Sequence, residues 1–337
     1  MAKMTIAEAL RQAIREEMRR DERVFCIGED IGVTGGFGGA FTVTLGLSDE
    51  FGHERILDTP ISEAAIAGIA VGAAIAGMRP IADVQYGDFL FNMMDQLANQ
   101  AAKLRYMSGG TLSVPLVMRA PVGATARGAQ HAQSLEAFFT HVPGLKVVCP
   151  STAYDAKGLL KSAVRDDNPV LIFEHKLLYG SKGPRTEKGA LSPVGEVPEE
   201  DYTVPIGKGA VRREGADITI VANLLMVYRA LAAAETLAER GIQAEVIDPR
   251  SLVPLDEELI FESVRKTGRL LIVEEDNLTS GWGAEIAARA ADEVFFWLDA
   301  PVKRVAAPDV PPPFAPALER AYVPGEKQIL AAALSML

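Results

Sequence analysis

The stretch TPISEAAIAGIAVGAAIAGMRPIADVQ, residues 59–85, decides how this chain folds. It reads as a turn, then a helix made almost wholly of Ala, Gly, Ile and Val, then a short apolar strand. Ala and Gly line every side of the helix, which predicts that it has no solvent face and is packed all round. The apolar run stops at Arg79. It is shorter than the roughly 17 to 25 residues that a bilayer span needs, so we expect a buried helix and no membrane partner.

Strands and helices alternate on both sides of this stretch. Short apolar runs at 24–30, 114–121 and 145–150 are separated by segments with helical periodicity, which predicts an α/β fold with mainly parallel sheets. A Gly-, Pro- and charge-rich stretch then interrupts the pattern before a second α/β unit begins. We therefore expect two doubly wound domains, at 1–185 and 206–337, joined by a linker at 186–205.

Composition limits the classes of function. The 337 residues carry a net charge of −11, which argues against nucleic acid or an anionic membrane as partner. Cys26 and Cys149 lie in apolar segments, so they make neither a disulfide framework nor a zinc cluster and fit a cytoplasmic protein. The N-terminus does not resemble a signal peptide, and Thr5 with Glu8 predicts a helix capping box.

Two side chains stand out as candidates for chemistry. Glu63 begins the apolar helix, where the helix dipole favours the carboxylate and burial favours the neutral acid. His131 lies in GATARGAQHAQS, a small-residue loop after a strand, and its neutral-range pKa would suit proton transfer. From local sequence alone, Glu63 can equally be a first-turn cap, and His131 a surface or packing residue.

Weaker signals remain open. Phe89 follows a strand end, where sites often open in parallel sheets, but its helical spacing to Met93 and Leu97 also fits core packing. Asp166 and Asn168, in SAVRDDNP, could hold a hard cation or form an ordinary turn. The glycine-rich loop at 32–39 matches no phosphate-binding motif, and the chain contains no HExxH, CxxC or GxSxG spacing.

Six blocks together resemble a known family. They are GED near residue 30, RILDTPISEAAIAGIAVGAAIAGMRPIADVQYGDF, KLRYMSGG, AQHAQSLEAFFTHVPGLKVVCP, DAKGLLKSAVRDDNPV and VIDPRSLVPLD. The chain resembles the beta subunit of thiamine-diphosphate-dependent 2-oxo acid dehydrogenases, within the transketolase-like superfamily. The resemblance runs over almost the whole chain and implies a transketolase-like pyrimidine-binding domain followed by a transketolase C-terminal domain.

The resemblance also implies a cofactor site. Glu63 matches the glutamate that hydrogen-bonds a ring nitrogen of the thiamine diphosphate pyrimidine. Ile61 and Gln85 would contact the cofactor, and Phe89 matches the aromatic residue that packs on the pyrimidine. His131 matches the histidine of the family motif QHSQ, which orients the dihydrolipoyl arm. Here the motif is QHAQ, so one neighbouring hydroxyl is lost and the imidazole is kept.

For SAVRDDNP, the same resemblance implies a cation site in place of an ordinary turn. The positions that match the family's structural potassium site, made largely of carbonyl oxygens, are Leu116, Ala163, Val164, Asp166 and Asn168.

Partners follow from the resemblance as well. It implies two alpha and two beta chains with each cofactor at an alpha/beta interface, and docking onto a dihydrolipoyl acyltransferase core. The chain lacks the GDG stretch with which thiamine enzymes hold diphosphate and Mg²⁺, so an alpha chain should supply that half of the site. The substrate would be pyruvate or a branched-chain 2-oxo acid. The alternatives are an acetoin dehydrogenase beta subunit, a split transketolase, or a subunit that only supports assembly.

Overall fold

The computed structural model describes residues 1–33, 35–180 and 194–337. Its contacts divide the chain into two compact units. Unit 1 comprises Met1–Val122 and Phe138–Ile206, and unit 2 comprises Gly123–Ala137 and Gly207–Leu337. The segment Gly123–Ala137, which the sequence analysis includes in the 1–185 domain, therefore groups with the second unit.

Unit 1 is built on a parallel sheet, as the alternation of apolar strands and helices predicts. Its strands are β1 (Ala2–Thr5), β2 (Val24–Gly28), β3 (Ile56–Asp58), β4 (Arg79–Asp83), β5 (Val117–Val122), β6 (Lys146–Val148), β7 (Val170–His175) and β8 (Val194–Val197). Six of them lie in the order β6-β7-β5-β4-β2-β3, and all five of their pairings are parallel. β2, β5 and β7 are buried along their whole length, as strands covered on both faces must be.

The remaining two strands of this unit form a small antiparallel pair. β1 pairs with β8, with Ala2 opposite Val197 and Thr5 opposite Val194. The strand β8 lies inside 186–205, where the sequence predicts a linker. Part of the predicted linker is therefore a strand that pairs with the N-terminal strand β1. Residues 186–193 of the predicted linker lie outside the described residues.

The helices of unit 1 follow the apolar periodicity. They are α1 (Ile6–Arg20), α2 (Leu47–Phe51), α3 (Glu63–Ile75), α4 (Ala102–Met107) and α6 (Ala153–Arg165), while α5 (Glu136–Thr140) begins in the last two residues of Gly123–Ala137 and continues into unit 1. The capping box is present at α1: the Glu8 amide donates to Thr5 Oγ1 over 3.2 Å, and the Thr5 amide donates to Glu8 Oε2 over 2.8 Å. The segment that carries Phe89, Met93 and Leu97 is a 3₁₀ turn (Gly87–Met93) followed by a π-helical turn (Asp95–Ala101), and α4 continues from it.

The apolar helix α3 is only partly covered within this chain. Ile66, Ala67, Ala70, Val71 and Ala74 are buried, whereas Ile69 is 52% exposed. Ala65, Gly72 and Ala76 are exposed on the same side of the helix, at spacings that place them in one stripe with Ile69. The expectation of packing on every side is thus not met by this chain alone.

Unit 2 has its own sheet. The strands in this stretch of chain are β9 (Ala210–Arg213), β10 (Ile218–Ala222), β11 (Ala244–Asp248), β12 (Ser251–Val253), β13 (Leu270–Asn277) and β14 (Lys303–Ala307), and β12 is not part of this sheet. Five of them lie in the order β14-β13-β10-β11-β9, parallel except for the edge strand β9. The helices are α7 (Leu225–Ala238), α8 (Glu257–Thr267), α9 (Trp282–Glu293), α10 (Pro316–Tyr322) and α11 (Glu326–Leu334).

Two expectations from composition can be compared with the structure. Cys26 lies in β2 and Cys149 directly follows β6; both are buried, and neither is part of a disulfide. Burial raises the pKa of Cys26 to about 12, which makes it an inert core residue. Within the described part of the chain no helix is both long and apolar enough to cross a bilayer.

Candidate active site

The carboxyl ends of neighbouring parallel strands bring the predicted pyrimidine-site residues of unit 1 to one edge of its sheet. Glu29 follows β2, and Gln85 follows β4. The Gln85 side-chain amide donates to the Glu29 carbonyl over 2.9 Å, which fixes the amide. α3 starts five residues after β3, so Glu63 is delivered to the same edge.

Glu63 is the first residue of α3 and is half-buried. Ser62 precedes it without capping the helix through its side chain. Within residues 1–33, 35–180 and 194–337, no hydrogen-bond donor or ion-pair partner reaches the Glu63 carboxylate. A carboxylate held at a helix N-terminus with an unused acceptor suits a ring nitrogen that carries a proton.

A second carboxyl next to Glu63 is electrostatically perturbed. Burial, and then repulsion from Asp30, Glu63 and Asp58, raise the pKa of Glu29. Asp58 is itself held by the Ile31 amide over 3.0 Å. This edge of the sheet is therefore acidic, and it favours ligand groups that donate hydrogen bonds.

Apolar groups accompany these acids. Ile61, two residues before Glu63, is 75% exposed, which is unusual for a large aliphatic side chain. Phe89 is half-buried and meets Tyr86 edge to face, with ring centroids 6.1 Å apart. The structure thus leaves Ile61 and Phe89 accessible for packing against a flat ring, and the residues present fit the pyrimidine end of thiamine diphosphate.

A buried ion network under this edge escaped the sequence analysis. Arg119 of β5 donates to Glu174 of β7 over 2.6 and 2.9 Å and also pairs with Asp83 of β4. Tyr179 donates its hydroxyl hydrogen bond to the same Glu174 over 2.5 Å and stacks on Phe41 at 4.5 Å. Burial raises the pKa of Asp83 to about 6, although Arg119 opposes the shift. The only sequence signal is a charged residue inside or ending each otherwise apolar strand.

His131 lies in unit 2, on Gly123–Ala137, which we call the His131 segment. The segment is closed by hydrogen bonds from the Gly123 amide to the Gln133 carbonyl, 3.1 Å, and from the His131 amide to the Gly128 carbonyl, 3.2 Å. The imidazole is half-buried. Arg127 near its tip is exposed. This places His131 on a loop with defined geometry, as the small-residue pattern favours.

Four of the predicted cation ligands lie in or just after the last turn of α6, and Leu116 directly precedes β5. Leu116, Ala163, Val164 and Asp166 each offer a carbonyl that already accepts one hydrogen bond, and the Asn168 side chain bonds Asp166 Oδ1 over 2.8 Å. The Arg79 guanidinium, not foreseen from sequence, donates to the Val164 carbonyl over 2.8 Å and to the Asp166 carbonyl over 3.0 Å. Each carbonyl keeps a second lone pair, so an ion is compatible with these oxygens but would lie beside a fixed positive charge.

Comparison with known proteins places this geometry in a family. The pattern described as "Transketolase, pyrimidine binding domain" matches residues 2–182, and "Transketolase, C-terminal domain" matches residues 207–329. The 2-oxoisovalerate dehydrogenase subunit beta of Bacillus subtilis is 48% identical, with 98% of each chain covered. The beta subunit of an acetoin:2,6-dichlorophenolindophenol oxidoreductase from the same organism is 47% identical, covering 99% of this chain and 97% of its own.

Two further similarities agree. The pyruvate dehydrogenase E1 component subunit beta of Rickettsia felis is 46% identical over 98% of this chain and 97% of its own. A solved "Split gene transketolase, inactive beta4 tetramer" superposes with a TM-score of 0.77 at 25% identity, covering 99% of this chain and 98% of its own. The predicted transketolase-like two-domain α/β fold is confirmed, and the chain belongs to the beta-subunit family of the thiamine-diphosphate-dependent 2-oxo acid dehydrogenases.

Proposed function

We propose that this chain, with an alpha subunit, decarboxylates a 2-oxo acid and passes the acyl group to the lipoyl group of a dihydrolipoyl acyltransferase. The observation that carries the proposal is Glu63, whose carboxylate has no donor among the described residues and lies beside the exposed Ile61 at the edge of the sheet. Thiamine diphosphate, when bound, supplies the electron sink that decarboxylation of a 2-oxo acid requires.

The residues of this chain would hold the pyrimidine end. Glu63 hydrogen-bonds a pyrimidine ring nitrogen and holds a proton there, which is a role for a carboxyl with an open acceptor. Phe89 packs on the ring, Ile61 excludes water from it, and Gln85 contacts the cofactor from the end of β4. His131 then orients the lipoyl arm and supplies a proton during acyl transfer.

An alpha chain would complete the site. The sequence contains no GDG, so the diphosphate and Mg²⁺ fall to the partner in an assembly of two alpha and two beta chains. The exposed stripe of α3, formed by Ala65, Ile69, Gly72 and Ala76, supports this assignment. Small residues let another backbone approach closely, and burying the exposed Ile69 side chain among them would stabilise the complex.

Two accessory roles belong to the same proposal. The acidic chain, with a net charge of −11, would dock through its C-terminal domain onto a basic segment of the acyltransferase core, an association that added salt should weaken. A structural K⁺ would bind the carbonyl oxygens of Leu116, Ala163, Val164 and Asp166 with Asn168, sharing two of those oxygens with Arg79.

Substrate choice is tested directly. The chain is co-purified with its alpha chain and assayed with thiamine diphosphate, a redox dye, and pyruvate, branched-chain 2-oxo acids or acetoin. Acetoin is the second candidate because acetoin-named relatives from Bacillus subtilis and Cupriavidus necator are 47% and 48% identical. A split transketolase would turn over none of the three but would act on transketolase substrates. Absence of any turnover in a cofactor-loaded complex would favour a non-catalytic assembly subunit.

A further inference from the structure

The His131 segment is attached to the rest of unit 2 through its backbone amides. The Ala124 amide donates a buried hydrogen bond of 2.6 Å to Glu275 Oε1, near the end of β13. The Ala126 amide donates to Glu319 of α10. At the far end, the Ala137 amide points to Asp276 Oδ2 at 3.4 Å. Three carboxylates from two elements therefore hold both ends of one segment.

The segment contains residues with a positive φ near its anchored amides. Ala126 has a φ of +56°, in the left-handed region that disfavours a residue with a Cβ. The amide bound by Glu319 is that of Ala126 itself. Gly128 has a φ of +78°, and a Cβ there would meet the Phe314 ring at 3.3 Å, so the segment also packs closely against the chain before α10. This conformation is over-determined by contacts outside the segment, as a strained functional loop must be.

Charged groups from neighbouring elements surround the anchoring carboxylates. Arg229 of α7 is attracted by Glu275 and Glu319 and donates to the Pro324 carbonyl. Glu274 faces elsewhere, since it binds the Gly283 amide over 2.8 Å and pairs with Arg304 of β14. Glu136 is buried next to Asp276, and its Oε2 meets no hydrogen-bond partner within the described residues. Burial and then Asp276 raise the pKa of Glu136 well above its usual range, which favours the neutral acid beside the anchor.

We propose that Glu275, Asp276 and Glu319 are positioning residues that hold the His131 segment in the conformation from which His131 acts in acyl transfer. The catalytic half of this statement rests on the proposed function, whereas the anchoring half does not. None of the three carboxylates needs to touch a substrate. Each acts through a backbone amide of the segment that carries the imidazole.

Anchoring is tested by proteolysis of the full chain. Trypsin cleaves after arginine, and Arg127 is exposed near the tip of the segment. We expect Glu275→Leu, which removes the acceptor, to raise the cleavage rate after Arg127 at least tenfold. Glu275→Gln keeps an acceptor oxygen and should restore a rate within twofold of the wild type. If Glu275→Leu fails to fold, Glu319→Ala, at a half-buried surface position, provides the same test. Glu326→Ala is the matched control, since Glu326 begins α11 and bonds Thr236 instead.

Catalytic consequence is measured separately in the reconstituted complex. Glu319→Ala should slow acylation of a lipoyl domain about tenfold while dye-coupled decarboxylation stays within twofold, and in a His131→Ala background it should cause no further loss. Unchanged cleavage after Arg127 in both Glu275→Leu and Glu319→Ala would overturn the anchoring. Faster cleavage with equal loss in both half-reactions would support the anchoring and overturn the link to acyl transfer. A complex without any turnover would instead count against the proposed function, with the cleavage result still valid.

Discussion

Arg79 and Asp166 are joined by a hydrogen bond from the guanidinium Nη1 to the Asp166 carbonyl oxygen, 3.0 Å long. The same nitrogen donates to the Val164 carbonyl over 2.8 Å, so one side chain at the start of β4 caps the carboxyl end of α6. A fixed cation at this helix end complements the helix dipole.

This contact predicts how K⁺ affects stability. We expect Arg79→Ala to lower the free energy of unfolding by about 1 to 2 kcal/mol in Na⁺ buffer, because two carbonyls lose a charged donor. Replacing Na⁺ by K⁺ should raise the melting temperature more in the variant than in the wild type. In the variant, a K⁺ ion at the Val164 and Asp166 carbonyls is no longer repelled by the Arg79 guanidinium. The measurement is differential scanning calorimetry in matched chloride buffers. An equal K⁺ shift in both proteins would contradict the shared-oxygen arrangement.

Glu63→Gln should abolish decarboxylation. Glutamine cannot hold a proton between itself and a pyrimidine nitrogen, so we expect a loss of about 100-fold or more in dye-coupled turnover. The assembled complex should keep its size by light scattering. Glu54→Gln, a change of the same charge at an exposed position of unit 1, is the control. Wild-type turnover by Glu63→Gln would remove Glu63 from the reaction.

His131→Ala should divide the two half-reactions. Acylation of lipoamide is expected to fall about 100-fold, because a positioned proton donor is lost, while decarboxylation measured with a dye is retained within a few fold. Single-turnover acylation of a lipoyl domain separates the two. A parallel loss in both would show that His131 serves an earlier step.

The exposed stripe of α3 predicts the site of assembly. Ile69→Arg places a charge on that stripe and should weaken association with the alpha chain by tenfold or more, which corresponds to about 1.4 kcal/mol. Sedimentation velocity of the co-expressed chains reports it. Glu22→Arg, at an exposed position outside the stripe, should assemble normally. Assembly of Ile69→Arg at wild-type affinity would move the interface elsewhere.

Stability should fall as the pH rises towards neutrality. Burial raises the pKa of Glu274 to about 7 and that of Asp276 to about 6, from ordinary values of 4.5 and 3.8. Between about pH 4 and 7 the folded chain thus binds more protons at these carboxyls than the unfolded chain, and the free energy of unfolding decreases with pH, by up to about 1.4 kcal/mol per pH unit for each proton. Urea titrations at pH 5, 6 and 7 measure this slope. Glu274→Gln should flatten it, and a slope of the opposite sign would refute the assignment.

Local features were predictable from the sequence because their causes are local. The capping box of Thr5 and Glu8 needs only three residues of spacing, and the structure contains both of its bonds. The family motifs likewise led to the confirmed fold. By contrast, Arg119 binds Asp83 and Glu174, which lie 36 and 55 residues away along the chain. No periodicity encodes such pairs.

The exposed side of α3 shows a different limit. Its composition predicts a helix that is packed on all sides, whereas Ile69 on this side is 52% exposed. Cover from an alpha chain is part of the proposed function, and the pattern in this sequence does not identify the covering chain. The predicted roles of Glu63, Ile61, Gln85, Phe89 and His131 remain predictions for the same reason, since part of the site is expected from an alpha chain. The anchoring of Ala124 by Glu275 spans 151 residues and could be found only in the folded chain.

Gly123–Ala137 belongs to unit 2, although unit 1 resumes at Phe138. This affects how two related chains can recombine. A crossover between two related genes near residue 206 would exchange Glu275, Asp276 and Glu319 while leaving Ala124 to Ala137 behind. The recombinant would carry the His131 segment from one parent and the carboxylates that accept hydrogen bonds from its amides from the other. Domain exchange in this family is therefore expected to succeed more often when residues 123–137 travel with the C-terminal half.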